Sequence, residues 1–256
     1  MSAAGSALLE VHELRKSYGG VHAVDGVSFE VGRGRITGLI GPNGAGKSTV
    51  LGMVAGAIEP SGGSILFNGE EVAGWPSYKV ARLGVGRTFQ QSGDFSRMTV
   101  MENLLTARPG QRGDSLWGAL LGKRYWRAEE DSLIARATDL VRRFDMMPMA
   151  NELGGSLSGG QRRLLEIMRA LMSEPEFLLL DEPMAGVNPA LGERIGDYLL
   201  ELRDDGLSMM LVEHEMSIVE KLCDPVIVMA QGQVLSQGTM NQIRADQKVL
   251  DAYLNG

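Results

Sequence analysis

Short apolar runs separated by glycine turns dominate both ends of the chain, and apolar positions at helical spacing dominate the middle. Val27, Phe29 and Val31 are apolar at period two with Ser28 and Glu30 between them, the alternation of a half-buried strand. Ile36-Thr37-Gly38-Leu39-Ile40 is a compact apolar run that ends at a glycine-rich turn and predicts a buried strand. Residues 47–57 read as a helix, broken by Glu59-Pro60-Ser61-Gly62-Gly63. Asn68-Gly69 after Ile65-Leu66-Phe67 predicts a tight hairpin turn.

From about residue 90 to 170 the pattern turns helical, with helices predicted at 98–107, 128–144 and 159–171. Residues 109–127 are rich in Gly and Arg, hold Trp117 and Trp126, and read as an insertion of weakly specified structure. Alternation then resumes: a strand at 177–181, a helix after Pro189, a strand at 207–213, a helix at 216–223 and a strand at 226–230. Strand–helix alternation interrupted by a helical block predicts an α/β core carrying a helical subdomain. The boundaries fall at about 8–89 and 172–254 for the core and about 90–171 for the helical part.

Composition narrows the class without naming it. The chain has 256 residues, enough for one large core or a core with an inserted subdomain. Lys plus Arg total 25 against 32 for Asp plus Glu, a net charge of −7 that gives no encouragement to nucleic-acid binding. Cys223 is the one cysteine, which excludes an internal disulfide and suits a reducing cytoplasm. No run approaches the roughly 18 apolar residues needed to span a bilayer. Met1-Ser2-Ala3-Ala4-Gly5 lacks the basic region and apolar core of a signal peptide, so any service to a membrane is expected from its cytoplasmic side.

Chemistry enters at Gly41-Pro42-Asn43-Gly44-Ala45-Gly46-Lys47-Ser48-Thr49, which fits G-x-x-x-x-G-K-[ST] between an apolar strand and a helix. Glycines there let backbone N–H groups turn inward around phosphates, and the helix adds its positive end. Lys47 is expected to reach the β- and γ-phosphates and the Ser48 hydroxyl to ligate Mg²⁺. Phe177-Leu178-Leu179-Leu180-Asp181-Glu182 is a buried-strand pattern ending in two acids. Acids can follow such a strand merely because the chain has reached solvent. With the phosphate loop in the same chain, one carboxylate fits the Mg²⁺ shell and the next fits polarisation of an attacking water.

Leu157-Ser158-Gly159-Gly160-Gln161 precedes a helical run, with Gln161 20 residues before Asp181. Its Ser and two glycines read either as a plain helix cap or as a second helix end open to an anion. These five residues match the ABC signature, and the sequence resembles the ABC ATPase family over about residues 8–254. The resemblance implies a P-loop NTPase fold: a RecA-like core, an antiparallel β subdomain and an inserted α-helical subdomain. It implies that Gly41, Asn43, Gly44, Ala45, Gly46, Lys47, Ser48 and Thr49 hold ATP, with Tyr18 stacking on adenine. Ser48, Gln90 and Asp181 are implied around Mg²⁺, and Glu182, His214 and Gln90 in catalysis. Family members dimerise head to tail, so Ser158, Gly159, Gly160 and Gln161 are expected to meet the nucleotide of a second ATPase subunit.

Arg87-Thr88-Phe89-Gln90, the run from Phe95 to Leu104, Asp181-Glu182-Pro183-Met184-Ala185-Gly186-Val187-Asn188-Pro189 and the C-terminal Val249-Leu250-Asp251-Ala252-Tyr253-Leu254 are similar to the ATPases of branched-chain amino-acid importers. Importers of urea or short amides and the lipopolysaccharide-export ATPase share much of the same sequence. Two membrane-spanning permease subunits and, indirectly, an extracytoplasmic solute-binding protein are the implied partners, with this chain peripheral on the inner face of the cell membrane. Asn188 stands where most ABC proteins have aspartate. A soluble ABC protein of ribosomes or DNA would commonly carry two cassettes or long insertions; this chain has one phosphate loop, one signature and no heptad run.

Overall fold

The computed structural model describes residues 7–88, 96–108 and 123–254. Along the chain run β1 (Leu9–Tyr18), β2 (Val21–Val31), β3 (Ile36–Ile40), α1 (Lys47–Val54), β4 (Gly62–Phe67), β5 (Glu70–Glu71), α2 (Ser77–Arg82) and β6 (Val85–Arg87). Then come α3 (Val100–Leu105), α4 (Lys123–Arg143) and α5 (Gly159–Leu171). The chain finishes with β7 (Phe177–Asp181), α6 (Pro189–Asp204), β8 (Ser208–Val212), α7 (Met216–Leu222), β9 (Val226–Ala230), β10 (Gln233–Gly238), α8 (Met240–Ala245) and α9 (Gln247–Leu254). No helix among the described residues is long and apolar enough to cross a membrane.

Two compact units form. The first takes the described residues up to Arg87 together with Pro175–Ala185 and those from Gly196 onward. It holds an antiparallel sheet in the order β2-β1-β4-β5 and a six-stranded sheet in the order β10-β9-β3-β8-β7-β6. Every residue of β3, β7, β8 and β9 is buried, which explains their unbroken apolar runs: strands of a parallel sheet covered on both faces have no polar side to alternate with. In β2, by contrast, Val27, Phe29 and Val31 are buried while Ser28 and Glu30 are exposed. Asn68 and Gly69 both take positive φ, 53° and 77°, as a two-residue primed hairpin turn requires. Phe67 of β4 stacks on Phe177 of β7 with ring centroids 6.3 Å apart, and the apolar cluster they belong to reaches from β1 and β2 through α1 to β9.

The second unit takes the described residues from Thr88 to Glu174 with Gly186–Ile195. Thr99 caps α3 in a reciprocal box, its hydroxyl accepting from Glu102 N while the Glu102 carboxylate accepts from Thr99 N. α5 turns Leu164, Leu165, Ile167, Met168 and Leu171 inward at helical spacing. Its last carbonyl, Leu171 O, accepts from Arg136 of α4 at 2.6 Å, a cation satisfying a helix C-terminus. The helix predicted at 98–107 is shorter than expected, because the cap at Thr99 fixes its start. The one predicted at 128–144 is longer, beginning at Lys123 inside the supposed insertion. Residues 109–122 lie outside the described residues.

Candidate nucleotide site

In the parallel sheet β3 pairs with β8 and β8 with β7, so the C-terminal ends of three neighbouring strands come level. The loop from Gly41 follows β3, Glu213 and His214 follow β8, and Asp181 and Glu182 close β7. Ligands of open α/β sheets bind at such carboxyl ends. The topology alone therefore gathers residues that are up to 173 positions apart, from Gly41 to His214.

The loop owes its shape to close approaches. Gly41, at φ 148°, lies so near β9 that a Cβ would come 2.0 Å from Met229 O. At Gly46, φ 98°, a Cβ would come 2.4 Å from Ala23 O of β2. Ala45 is clamped by Ala45 N–H to Pro42 O and Gly232 N–H to Ala45 O, both 3.2 Å. α1 starts at Gly46 with no side-chain cap and no acid in its first turn, so its leading N–H groups and dipole face the loop without a protein acceptor from a cap. Lys47 is 6% exposed, and its Nζ donates to Gly41 O at 2.7 Å and Pro42 O at 2.9 Å. Burial holds its pKa below the ordinary lysine value, against the pull of Glu182 and Asp181. Among the other predicted loop residues, Asn43, Gly44 and Ser48 are exposed and Thr49 is half-buried.

Ser48 Oγ donates to Asp181 Oδ1 at 3.3 Å, joining the loop to the end of β7. Asp181 Oδ2 is buried and accepts no hydrogen bond among the described residues, although Arg87 Nη2 of β6 stands 3.5 Å away. A buried carboxylate oxygen without a donor, beside a serine hydroxyl, fits a hard cation. No three His, Cys, Asp or Glu gather into a metal cluster among the described residues. Mg²⁺ bound through one carboxylate, a hydroxyl and nucleotide phosphates needs no such cluster.

Glu182 takes φ 50°, rare for a residue with a side chain, and its N–H donates to Val212 O at 3.0 Å. Its Oε1 is 2.7 Å from His214 Nε2. Between them lies a residue that motif reading passed over. Glu213 is 5% exposed, accepts from Met184 N at 3.0 Å and from His214 N at 3.3 Å, and its carboxyl is pushed up by burial while the two N–H groups pull it down. Its signal in the sequence was slight: an acid directly after a strand that is buried throughout.

A model of the ABC transporter family matches residues 24–185. The chain belongs to the ABC transporter family. The high-affinity branched-chain amino acid transport ATP-binding protein BraF of Pseudomonas aeruginosa is 38% identical over 248 residues, 96% of this chain and 97% of BraF. The corresponding LivG of Escherichia coli K12 is 39% identical over the same shares. Among solved structures, a nucleotide-free ATP-binding cassette from an ABC transporter superposes with a TM-score of 0.84 at 32% identity, covering 98% of this chain and all, 100%, of the other. The ADP conformation of an ABC transporter cassette gives 0.84 at 31%, over 98% and 100%. The P-loop fold expected from the sequence is therefore the fold observed, and the chain is an ABC ATPase subunit.

The ABC signature lies in the second unit. Ser158 caps α5 in another reciprocal box, its hydroxyl accepting from Gln161 N at 3.3 Å and Gln161 Oε1 accepting from Ser158 N at 2.8 Å. Ser158 and Gly159 are exposed at the helix start. Gly160 is buried, and a Cβ there would come 2.2 Å from Leu191 Cδ2 of α6, the far end of a side chain that would have to shift to make room. Asn188 Oδ1 accepts from Leu191 N at 2.9 Å and caps α6. Asn and Asp cap equally well, so either residue would serve at this helix start. Tyr18, at the tip of β1, is 52% exposed with Lys16 Nζ 5.1 Å from its ring centroid. Gln90 lies outside the described residues.

Proposed function

We propose that this ATPase powers a membrane importer of branched-chain or other hydrophobic amino acids, acting as one cassette over residues 8–254. The observation that carries the solute reading is identity of 38% and 39%, across 96% of this chain and 97% of the relatives, to ATP-binding proteins named for branched-chain amino acid transport. Identity of this size over the whole cassette, rather than at the nucleotide motifs alone, is what supports a shared role.

In this reading the loop N–H groups and Lys47 cradle the β- and γ-phosphates of ATP, and Tyr18 stacks on the adenine. Ser48 and Asp181 hold Mg²⁺, joined by Gln90; the cation, when bound, neutralises charge on the phosphate oxygens. Glu182 orients and polarises the attacking water, and His214 holds Glu182 through its Nε2 and reaches the γ-phosphate. The buried Asp181 Oδ2, the Ser48–Asp181 contact and the Glu182–His214 contact support these assignments. Ser158, Gly159, Gly160 and Gln161 serve the nucleotide of a second ATPase subunit in a head-to-tail dimer. Two permease subunits cross the membrane, this chain sits on its cytoplasmic face, and an external solute-binding protein delivers the amino acid.

The test is reconstitution with permease and solute-binding subunits of the branched-chain amino-acid importer type. Radiolabelled leucine should enter proteoliposomes only with ATP, with competition by isoleucine and valine. Uptake of urea or a short amide without leucine would overturn the solute assignment. A purified wild-type chain that hydrolyses no ATP would overturn the mechanism.

A further inference from the structure

The loops after β7 and β8 carry the two groups assigned to hydrolysis, and they are stitched together at three places. Glu182 N–H donates to Val212 O at 3.0 Å. The Glu182 and His214 side chains meet at 2.7 Å. The third stitch is Glu213, whose two carboxylate oxygens divide their duty: Oε1 accepts from Met184 N in one loop and Oε2 from His214 N in the other. Met184 follows Glu182 by two residues, and Ala185 N–H turns back onto Glu182 O at 3.1 Å, so the segment around Met184 is a tight turn bearing Glu182. Glu182 itself sits in the left-handed region at φ 50°, a conformation that neighbouring structure has to hold.

We infer that Glu213 is a positioning residue for hydrolysis, its carboxylate fixing the backbone of both the Glu182 loop and His214 so that the two side chains meet. The inference rests on the roles proposed above for Glu182 and His214, and it extends them to a residue whose hydrogen bonds go to backbone N–H groups of the two loops. The requirement for a carboxylate is specific. Two backbone donors from different loops need two acceptor oxygens, and glutamine offers one oxygen and one NH₂ that would face an N–H. A hydrophobic side chain of similar size would leave both N–H groups without this acceptor, the Met184 one in a buried setting. Lys47, Ser48 and the loop glycines make no hydrogen bond to Glu213 in the described structure, so its loss should spare nucleotide binding.

The test uses the full-length chain and a kinetic cycle. Glu213→Gln should lower kcat for ATP about tenfold, with KM and ATP affinity within about twofold of wild type. His214→Ala should lower kcat further, and the double variant should lose less than the product of the two single losses, because Glu213 acts in part through His214 and in part through the Glu182 loop. Losses that multiply, a KM that rises as far as kcat falls, or an unaltered kcat would each overturn the inference. Amide hydrogen exchange in the wild-type chain needs no variant: Met184 and His214 N–H should exchange slowly, and rapid exchange at Met184 overturns the stitch. Wild-type chain without ATP hydrolysis would sink the ATPase mechanism and this inference with it. Active wild type with an unaffected Glu213→Gln sinks the inference alone.

Discussion

Glu182 Oε1 and His214 Nε2 lie 2.7 Å apart although the two residues are 32 positions apart in the chain. The contact exists because β7 and β8 are parallel neighbours that end level, Asp181 opposite Val212. A carboxylate held by an imidazole is fixed in direction, which is what a group orienting water requires. Glu182→Gln keeps the size and loses the charge. Its turnover should fall about 10²- to 10⁴-fold while ATP binding persists. With hydrolysis stopped, ATP and Mg²⁺ should hold two copies together, visible as a dimer on gel filtration. Elution as monomer alone would count against the head-to-tail assembly.

Gly160 separates packing from ligand binding at the signature. A Cβ at this position would lie 2.2 Å from Leu191 Cδ2 and 3.3 Å from Val187 Cγ1. Gly160→Ala forces the Leu191 side chain to shift, an overpacking cost of about 1–3 kcal/mol. Alanine helix propensity offsets about 1 kcal/mol of it, so a net loss below about 2 kcal/mol is expected. Leu191→Ala in the same chain makes room and should return most of that loss in a urea melt. A double variant no more stable than Gly160→Ala would show that the clash is not the cause.

Asn188 gives a parallel case at α6. Its Oδ1 accepts from Leu191 N at 2.9 Å. Asn188→Ala should cost about 0.5–2 kcal/mol, and Asn188→Asp should cost almost nothing, since both oxygens cap and the acid also suits the helix dipole. Thermal unfolding of the three chains decides it. Equal losses for Ala and Asp would remove the capping account of this position.

Legibility followed burial. Phe177–Asp181, Val226–Ala230 and Ile36–Ile40 were readable to the residue because every position in them is buried and all but Thr37 and Asp181 are apolar. Gly159–Leu171 was readable because Ser158 and Gln161 announce its start and its apolar stripe is regular. β6, only Val85-Gly86-Arg87, is too short to show a period, and its identity as a strand comes from pairing with β7. α2, six residues with Val80 alone buried, leaves almost no stripe. At the site, Lys47, Ser48, Asp181 and Glu182 were visible as motifs. Glu213 was not, because its role depends on Met184 N–H, a backbone group 29 positions away that comes beside it only in the fold.

Cys223 offers a test of the core behind the site. It is buried against Gly38, where a Cβ would come 3.1 Å from Cys223 Cβ, and burial, with the charge of Glu213 adding, pushes its thiol up from 9.0 to about 12. The thiolate is the reactive form, so the folded chain should resist alkylation at pH 8 and react promptly in urea. The pH dependence has a definite sign. Between 9 and about 12 the unfolded chain releases the thiol proton and the folded chain keeps it. The unfolded state then binds fewer protons, and stability falls as pH rises through that window. Below pH 9 the contribution is fully present and flat. Cys223→Ala lacks the thiol, so its urea midpoint should fall less steeply above pH 9 than that of wild type. Parallel slopes for the two chains, or fast alkylation of the folded protein, would mean that Cys223 is open to water.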